Sequence, residues 1–186
     1  MDVTGDFLSG VDDSVFLDVL GVVEGNCVGG FWLIGGFVYR TLASVWYGVA
    51  RPVVDLDFLV ERPVDVFDLP EGWVVKKNRY GNPKLVSGGL VVDYVPLNNV
   101  YSILKRGVEP SIESFLSGVP LNVQSIAYDC VQRKVIGNVG IKALVDRVVC
   151  VNDLGFAEYA ARMKGLSVND FIEGKARELG FTPVFP

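Results

Sequence analysis

The stretch that decides the fold is "FWLIGGFVYR" at residues 31–40, taken together with "RPVVDLDFLV" at residues 51–60. The first apolar run ends in a glycine pair, and the second contains Asp55 and Asp57, one residue apart. Side chains at i and i+2 of a strand project from the same face, so these two carboxylates are predicted to lie side by side. Because burying two neighbouring carboxylates without a partner is costly, the pattern indicates a ligand that offsets their repulsion.

A divalent cation is the ligand that this chemistry predicts. Mg²⁺ accepts hard oxygen ligands presented from one side. Asp93, in "GLVVDYV", also lies mid-strand among apolar residues, so it is the predicted third carboxylate if its strand neighbours the first. Three carboxylates that hold two metal ions can activate a hydroxyl nucleophile and neutralise the charge of a phosphate.

The glycine pair fits the same chemistry. Gly35 and Gly36 are predicted to end a strand and open a helix, where backbone N–H groups can closely approach a triphosphate. Arg40 follows one turn into that helix and is predicted to reach the same phosphates.

The composition limits which partners and chemistries are possible. The chain of 186 residues has a net charge of −5 and a pI of about 4.8, so strong binding of long nucleic acids is not expected. It has no histidine, which excludes histidine-ligated metals and histidine-based catalytic triads or dyads. Half of its residues are hydrophobic, which predicts a sizeable core and is compatible with a homo-oligomer interface.

The location of the protein is predicted from the same sequence features. Three widely spaced cysteines suit a reducing cytoplasm. The acidic start "MDVTGDFLSG" does not resemble a signal peptide. The longest apolar stretch is interrupted by glycines and is too short to cross a bilayer, so a soluble, cytoplasmic protein without membrane partners is expected.

The order of predicted elements is helix, strand, helix, several strands, and then helices. This order predicts an α+β fold with a mixed β-sheet flanked by helices. Residues 1–137 are expected to form an α/β core that begins with a helix. Residues 138–186 are expected to form a C-terminal helical segment packed on that core, with its first helix spanning "VGIKALVDRVVCV" at residues 139–151.

The combination "IGGFVYR … DLD … VVDYV" resembles the nucleotidyltransferase superfamily that includes DNA polymerase β. It is most similar to the head domain shared by tRNA CCA-adding enzymes and bacterial poly(A) polymerases. The segment "LNVQSIAYDCVQRKVIGNVGIKAL" is similar to a later region of that family, and the resemblance covers roughly residues 30–147. It implies a nucleotidyltransferase-like fold and a role in RNA processing.

The resemblance also implies roles for individual residues. Two Mg²⁺ ions would be held by the predicted carboxylates and catalytic residues Asp55, Asp57 and Asp93. The phosphates of a nucleoside triphosphate such as ATP would be bound by Gly35, Gly36 and Arg40. Arg51 resembles an arginine of smaller family members, and it is predicted to belong to the nucleotide site.

A cluster of basic residues surrounds the predicted "YGNP" turn, and it has two interpretations. It consists of Lys76, Lys77, Arg79 and Lys84. One interpretation is a solvated hairpin tip. The other is a basic rim that meets the triphosphate or an acceptor strand, and on this interpretation Lys84 belongs to the nucleotide site.

The predicted function is a small Mg²⁺-dependent nucleotidyltransferase. It would move a nucleoside monophosphate to a hydroxyl of RNA, protein or a small molecule, with release of pyrophosphate. Thr41 stands where the family has aspartate, the family's paired arginines ahead of "LNVQSIAY" are missing, and the chain leaves no room for tRNA-binding domains. CCA addition to tRNA is therefore not expected. The alternatives are an inactive nucleotide-binding or regulatory module of the same fold and a toxin-like nucleotidyltransferase.

Overall fold

The computed structural model describes residues 1–11, 13–49 and 55–186, without the side chains of residues 13 and 14. Within these ranges the helices are α1 Thr4–Ser9, α2 Asp13–Glu24, α3 Gly36–Tyr47, α4 Tyr101–Arg106, α5 Ile112–Ser117, α6 Asn138–Asp146, α7 Leu154–Met163 and α8 Val168–Leu179. The strands are β1 Cys27–Ile34, β2 Leu56–Pro63, β3 Val74–Lys77, β4 Pro83–Ser87, β5 Leu90–Pro96, β6 Ala127–Asp129, β7 Lys134–Ile136, β8 Val148–Val149 and β9 Thr182–Pro183. None of the helices in these ranges is long and apolar enough to span a bilayer.

Seven strands form one mixed sheet in the order β3-β4-β5-β2-β1-β6-β7. Strands β2 and β5 pair in parallel, and the other neighbours in this sheet pair antiparallel. The β3–β4 hairpin lies between β2 and β5 in the chain and brings β5 back to run beside β2. The α+β class with a mixed sheet, predicted from the sequence, is confirmed.

The two faces of the sheet are buried in separate cores, and β2 shows how the sequence assigns them. Leu56, Phe58 and Val60 belong to the larger core, which includes residues of α1, α2 and α3. Leu59 belongs to a smaller core with residues of α4 and α5. Since side chains alternate along a strand, Asp57 faces the same side as Leu59, under the smaller core.

The C-terminal helices share the larger core. Phe171, Ile172 and Leu179 of α8 lie in the same buried cluster as the central strands. The β8–β9 pair adds a small parallel sheet beside them. The division of the chain into residues 1–137 and 138–186 remains a prediction.

The first C-terminal helix ends earlier than the sequence predicts. Arg147, with φ 56°, caps α6 in the left-handed region, and Val148–Val149 form β8. The β-branched valines after Arg147 favour an extended backbone, and β9 supplies a pairing partner for them. Periodicity alone could not separate this short strand from the helix before it.

The position of Gly137, between β7 and α6, requires a glycine. Its φ is +103°, and a Cβ at this position would lie 2.4 Å from the Ser125 backbone oxygen and 2.8 Å from Ile126 Cα. We expect Gly137→Ala to lower the free energy of unfolding by about 3 kcal/mol, because the backbone atoms it would meet cannot rotate away. Urea denaturation measures the change.

Gly174 provides the matched control for this substitution. It lies inside α8, and nothing lies within 4 Å of a Cβ built there. Gly174→Ala is expected to stabilise the protein by up to about 1 kcal/mol, because alanine favours a helix interior. Equal denaturation midpoints for wild type and Gly137→Ala would show that the close approach of Gly137 to Ser125 and Ile126 is not present in solution.

Candidate active site

Two acidic side chains lie on neighbouring strands at the centre of the sheet. Asp57 on β2 is paired in register with Asp93 on β5, and on its other side with Ile34 on β1. Asp93 is in turn paired with Lys84 on β4. Neighbouring strands are about 4.8 Å apart, so residues in register place their side chains next to each other on one face. The structure therefore brings Asp57 and Asp93 together.

The electrostatics of this pair favour a bound cation. Burial raises the pKa of Asp57 to about 7, with further contributions from Asp93 and Asp55, and Lys84 opposes the rise. Asp93 Oδ2 lies 3.5 Å from Lys84 Nζ, whereas Asp93 Oδ1 is buried and has no hydrogen-bond partner among the described residues. A buried carboxylate oxygen without a partner is costly, and a cation would satisfy it. Asp57 and Asp93 therefore fit a divalent cation.

The predicted glycine turn lies directly beside the acidic pair. Gly35 precedes α3 with φ +73°, and a Cβ at this position would lie 2.9 Å from Asp57 Oδ2. Glycine is needed here both for the left-handed backbone and for the close approach. Gly36 is the first residue of α3. The amino end of a twelve-residue helix therefore begins next to the acidic pair.

The predicted convergence of three carboxylates is not found. Asp55 is exposed and precedes β2, although it is close enough to raise the pKa of Asp57. In residues 1–11, 13–49 and 55–186, no group of three or more acidic, histidine or cysteine side chains is placed to hold a metal ion. The physical reason is that β2 begins at Leu56, so Asp55 lies outside the strand that would align it with Asp57. Arg51 lies outside the described residues.

Arg40 is engaged by the C-terminal helix α8. Its Nε donates to Glu178 Oε1 at 2.5 Å, and its guanidinium lies over the Tyr39 ring. Lys175 donates to both Glu178 and the Tyr39 hydroxyl. Arg40 would have to give up its bond to Glu178 in order to bind a phosphate through Nε.

A cavity of about 620 Å³ opens over the acidic pair. Asp57 and Asp93 lie in its wall together with asparagines and tyrosines that the sequence analysis did not select. These are Asn78, Asn82, Asn99, Tyr80, Tyr101 and Tyr159. The asparagines come from the β3–β4 turn and the segment after β5, and the tyrosines from that turn, α4 and α7. No local sequence signal could link Tyr101 to Tyr159, because tertiary packing alone brings α4 to α7.

Comparison with known proteins shows which solved structures have a similar fold. No protein-family model and no curated protein matches the sequence significantly. Among solved structures, a CCA-adding enzyme in complex with ATP aligns at 19% identity with a TM-score of 0.62, over 99% of this chain and 42% of its own. The Bacillus stearothermophilus CCA-adding enzyme in complex with CTP aligns at 20% identity with a TM-score of 0.61, over 92% of this chain and 41% of its own. The Thermotoga maritima CCA-adding enzyme complexed with tRNA aligns at 16% identity with a TM-score of 0.56, over 95% of this chain and 46% of its own.

These alignments establish a nucleotidyltransferase-like fold. More narrowly, the chain has the same fold as the aligned part of the CCA-adding enzymes. The resemblance found in the sequence predicted this similarity, and the alignments confirm it. The chain spans less than half the length of each of these neighbours.

Proposed function

We propose that the protein is a Mg²⁺-dependent nucleotidyltransferase that moves a nucleoside monophosphate from a triphosphate to an acceptor hydroxyl. The observation that carries the proposal is the pairing of Asp57 with Asp93 on adjacent parallel strands, directly beside the Gly35 turn. The two carboxylates, which repel each other, therefore lie next to the amino end of α3. They match the two halves of a metal–triphosphate complex, which is cationic at the metal and anionic at the phosphates.

Each residue has a separate role in the proposed reaction. Asp57 and Asp93 would hold the metal, and Mg²⁺ when bound supplies neutralisation of phosphate charge. Backbone N–H groups at Gly35 and Gly36 would bind the phosphates and orient the α-phosphorus. The acceptor oxygen bonds to the α-phosphorus as the bond to the leaving pyrophosphate breaks. Asp93 is the proposed acceptor of the hydroxyl proton, because it lies in the cavity wall.

The structural neighbours support the choice of substrate. The aligned CCA-adding enzymes were solved with ATP, with CTP and with tRNA. ATP and CTP are therefore the first triphosphates to test, and RNA is the first acceptor, ahead of protein and small molecules. Lys84 would contact a phosphate once a metal ion has replaced it beside Asp93.

Metal removal tests the proposal. We expect pyrophosphate release when each of the four triphosphates is incubated with Mg²⁺, total RNA and total protein. EDTA should abolish the release, and restored Mg²⁺ should recover it, because the acidic pair has too little positive charge beside it to bind a triphosphate alone. Release that is unaffected by EDTA would contradict the proposal.

A nucleotide-binding regulatory module is the second candidate. The position of Asp55 favours it, because one of the three carboxylates predicted to hold the metal ions is exposed and lies outside β2. Triphosphate binding without pyrophosphate release from any triphosphate and acceptor would support this candidate.

A further inference from the structure

We infer that the cavity over the acidic pair binds the base of the incoming nucleotide, by stacking on Tyr101 and Tyr159 and by a hydrogen bond from the Asn82 side chain. The inference rests on the proposed function, since it assumes that the triphosphate lies between the Gly35 turn and the acidic pair. It adds to that function the residues that bind the nucleoside part of the substrate.

The first argument is continuity. The cavity of about 620 Å³ includes Asp57 and Asp93 as well as Tyr101 and Tyr159. The same tyrosines line an adjoining cavity of about 390 Å³. Volumes of this size are typical of sites for small organic ligands. A nucleotide whose phosphates lie at the acidic pair would extend its base along this wall.

The second argument is the state of the rings. The centroids of Tyr101 and Tyr159 are 5.1 Å apart at an interplanar angle of 35°, so the two rings pack against each other in one aromatic cluster. Tyr101 is 50% exposed, whereas Phe156, which meets its ring edge to face, is buried. Half of the Tyr101 surface therefore stays exposed beside these contacts, with Lys105 Nζ 5.9 Å from the ring centroid. An open aromatic face beside a phosphate-binding position suits a nucleobase.

The third argument is a buried amide in the same wall. Asn82 is only 6% exposed, and its Oδ1 accepts a hydrogen bond from Asn99. Its amide nitrogen makes no hydrogen bond to the described residues, although the side chain lines the cavity. The nitrogen is therefore free to donate to a ligand in the cavity, although the rest of the side chain is buried. A carbonyl oxygen or ring nitrogen of a base would satisfy this donor.

The position of Asn82 is fixed before any ligand binds. The Asn78 side chain accepts from the backbone N–H groups of Tyr80 and Asn82, which shapes the turn between β3 and β4. Asn99, from the segment after β5, holds the Asn82 side chain from the other side. The donor is therefore preorganised. One donor combined with stacking discriminates weakly among bases, so we expect affinities for the four triphosphates that differ little.

The test compares nucleotides with inorganic tripolyphosphate, which has the phosphates and no base. Affinities are measured by calorimetry with Mg²⁺ for the wild type and for variants that carry changes at both tyrosines. We expect the double change Tyr101→Ala and Tyr159→Ala to weaken binding of each nucleoside triphosphate at least about tenfold, the size of one lost stacking contact. Binding of tripolyphosphate should not change.

Three further variants separate stacking from damage to the fold. The double change Tyr101→Phe and Tyr159→Phe keeps both rings and should keep nucleotide affinity. Phe185→Ala removes a half-exposed ring that lines neither cavity, and it should also have no effect. Asn82→Ala should weaken the binding of nucleoside triphosphates and leave the affinity for tripolyphosphate unchanged.

The outcomes distinguish this inference from the proposed function. Full nucleotide affinity in the double alanine variant would overturn the inference and leave the proposed function intact. A wild-type protein that binds neither nucleotides nor tripolyphosphate would overturn both. Equal losses of nucleotide and tripolyphosphate affinity in the double alanine variant would also overturn the inference, because the rings would then support only the fold.

Discussion

Asp57→Asn is expected to lower the rate of nucleotidyl transfer by roughly 1,000-fold, because it removes a charge that holds the metal and several kcal/mol of transition-state stabilisation with it. Asp93→Asn should have an effect of the same size, since Asp93 forms the other half of the pair. Transfer is measured as pyrophosphate release. Binding of Mn²⁺, followed by electron paramagnetic resonance, provides a readout that does not depend on turnover.

Two acidic residues serve as comparisons for these variants. Asp65→Asn removes an exposed carboxylate that lies in no described cavity, and it should leave transfer and Mn²⁺ binding unchanged. Asp55→Asn tests whether the exposed residue before β2 acts as the predicted third ligand. A large loss on Asp55→Asn would support that role. Wild-type transfer by folded Asp57→Asn would refute the proposed mechanism.

In the absence of metal, the contribution of Asp57 to the stability of the protein is expected to fall as the pH rises from about 4 to about 7. The pKa of Asp57 is raised from its ordinary value of 3.8 to about 7, mainly by burial. Below both values Asp57 is protonated in the folded and unfolded states and contributes no penalty. Between them the folded state must retain a proton that the unfolded state releases, so stability is lost with rising pH. The full penalty above pH 7 corresponds to about 4 kcal/mol.

Asp57→Asn isolates this contribution from the other carboxylates. Urea denaturation in EDTA should show nearly equal stability of wild type and variant at pH 4. At pH 8 the variant should be more stable by about 4 kcal/mol, since the amide cannot ionise. Added Mg²⁺ should stabilise only the wild type. A difference between the two proteins that does not vary with pH would show that Asp57 titrates normally.

Much of the fold could be predicted because local pattern and tertiary structure agree. The glycine pair after "FWLI" ends β1 and opens α3, and the alternation in "DLDFLV" gives β2 two differently buried faces. The sequence did not reveal that β8 follows α6 immediately. Two valines carry too little periodicity to predict a strand that exists through pairing with β9.

The site was predictable to the extent that it depends on strand register. Asp57 and Asp93 could be selected from the sequence because each is an acidic residue inside an apolar strand. Their pairing requires β5 to lie beside β2, which the sequence could only suggest. The engagement of Arg40 by Glu178 depends on how α8 packs on α3, and the residues are 138 positions apart, so no sequence spacing could reveal it.

The lysine on β4 gives the resting protein a tethered counterion. Lys84 Nζ already lies 3.5 Å from one oxygen of Asp93, while the other oxygen has no partner in the part of the chain that the structure describes. A divalent ion bound at that other oxygen would repel the nearby ammonium group, so metal uptake would favour an exchange in which Lys84 moves away as the metal enters. The local gain in positive charge would be smaller than the charge of the incoming ion, and the released lysine would stand ready beside whatever anion accompanies it.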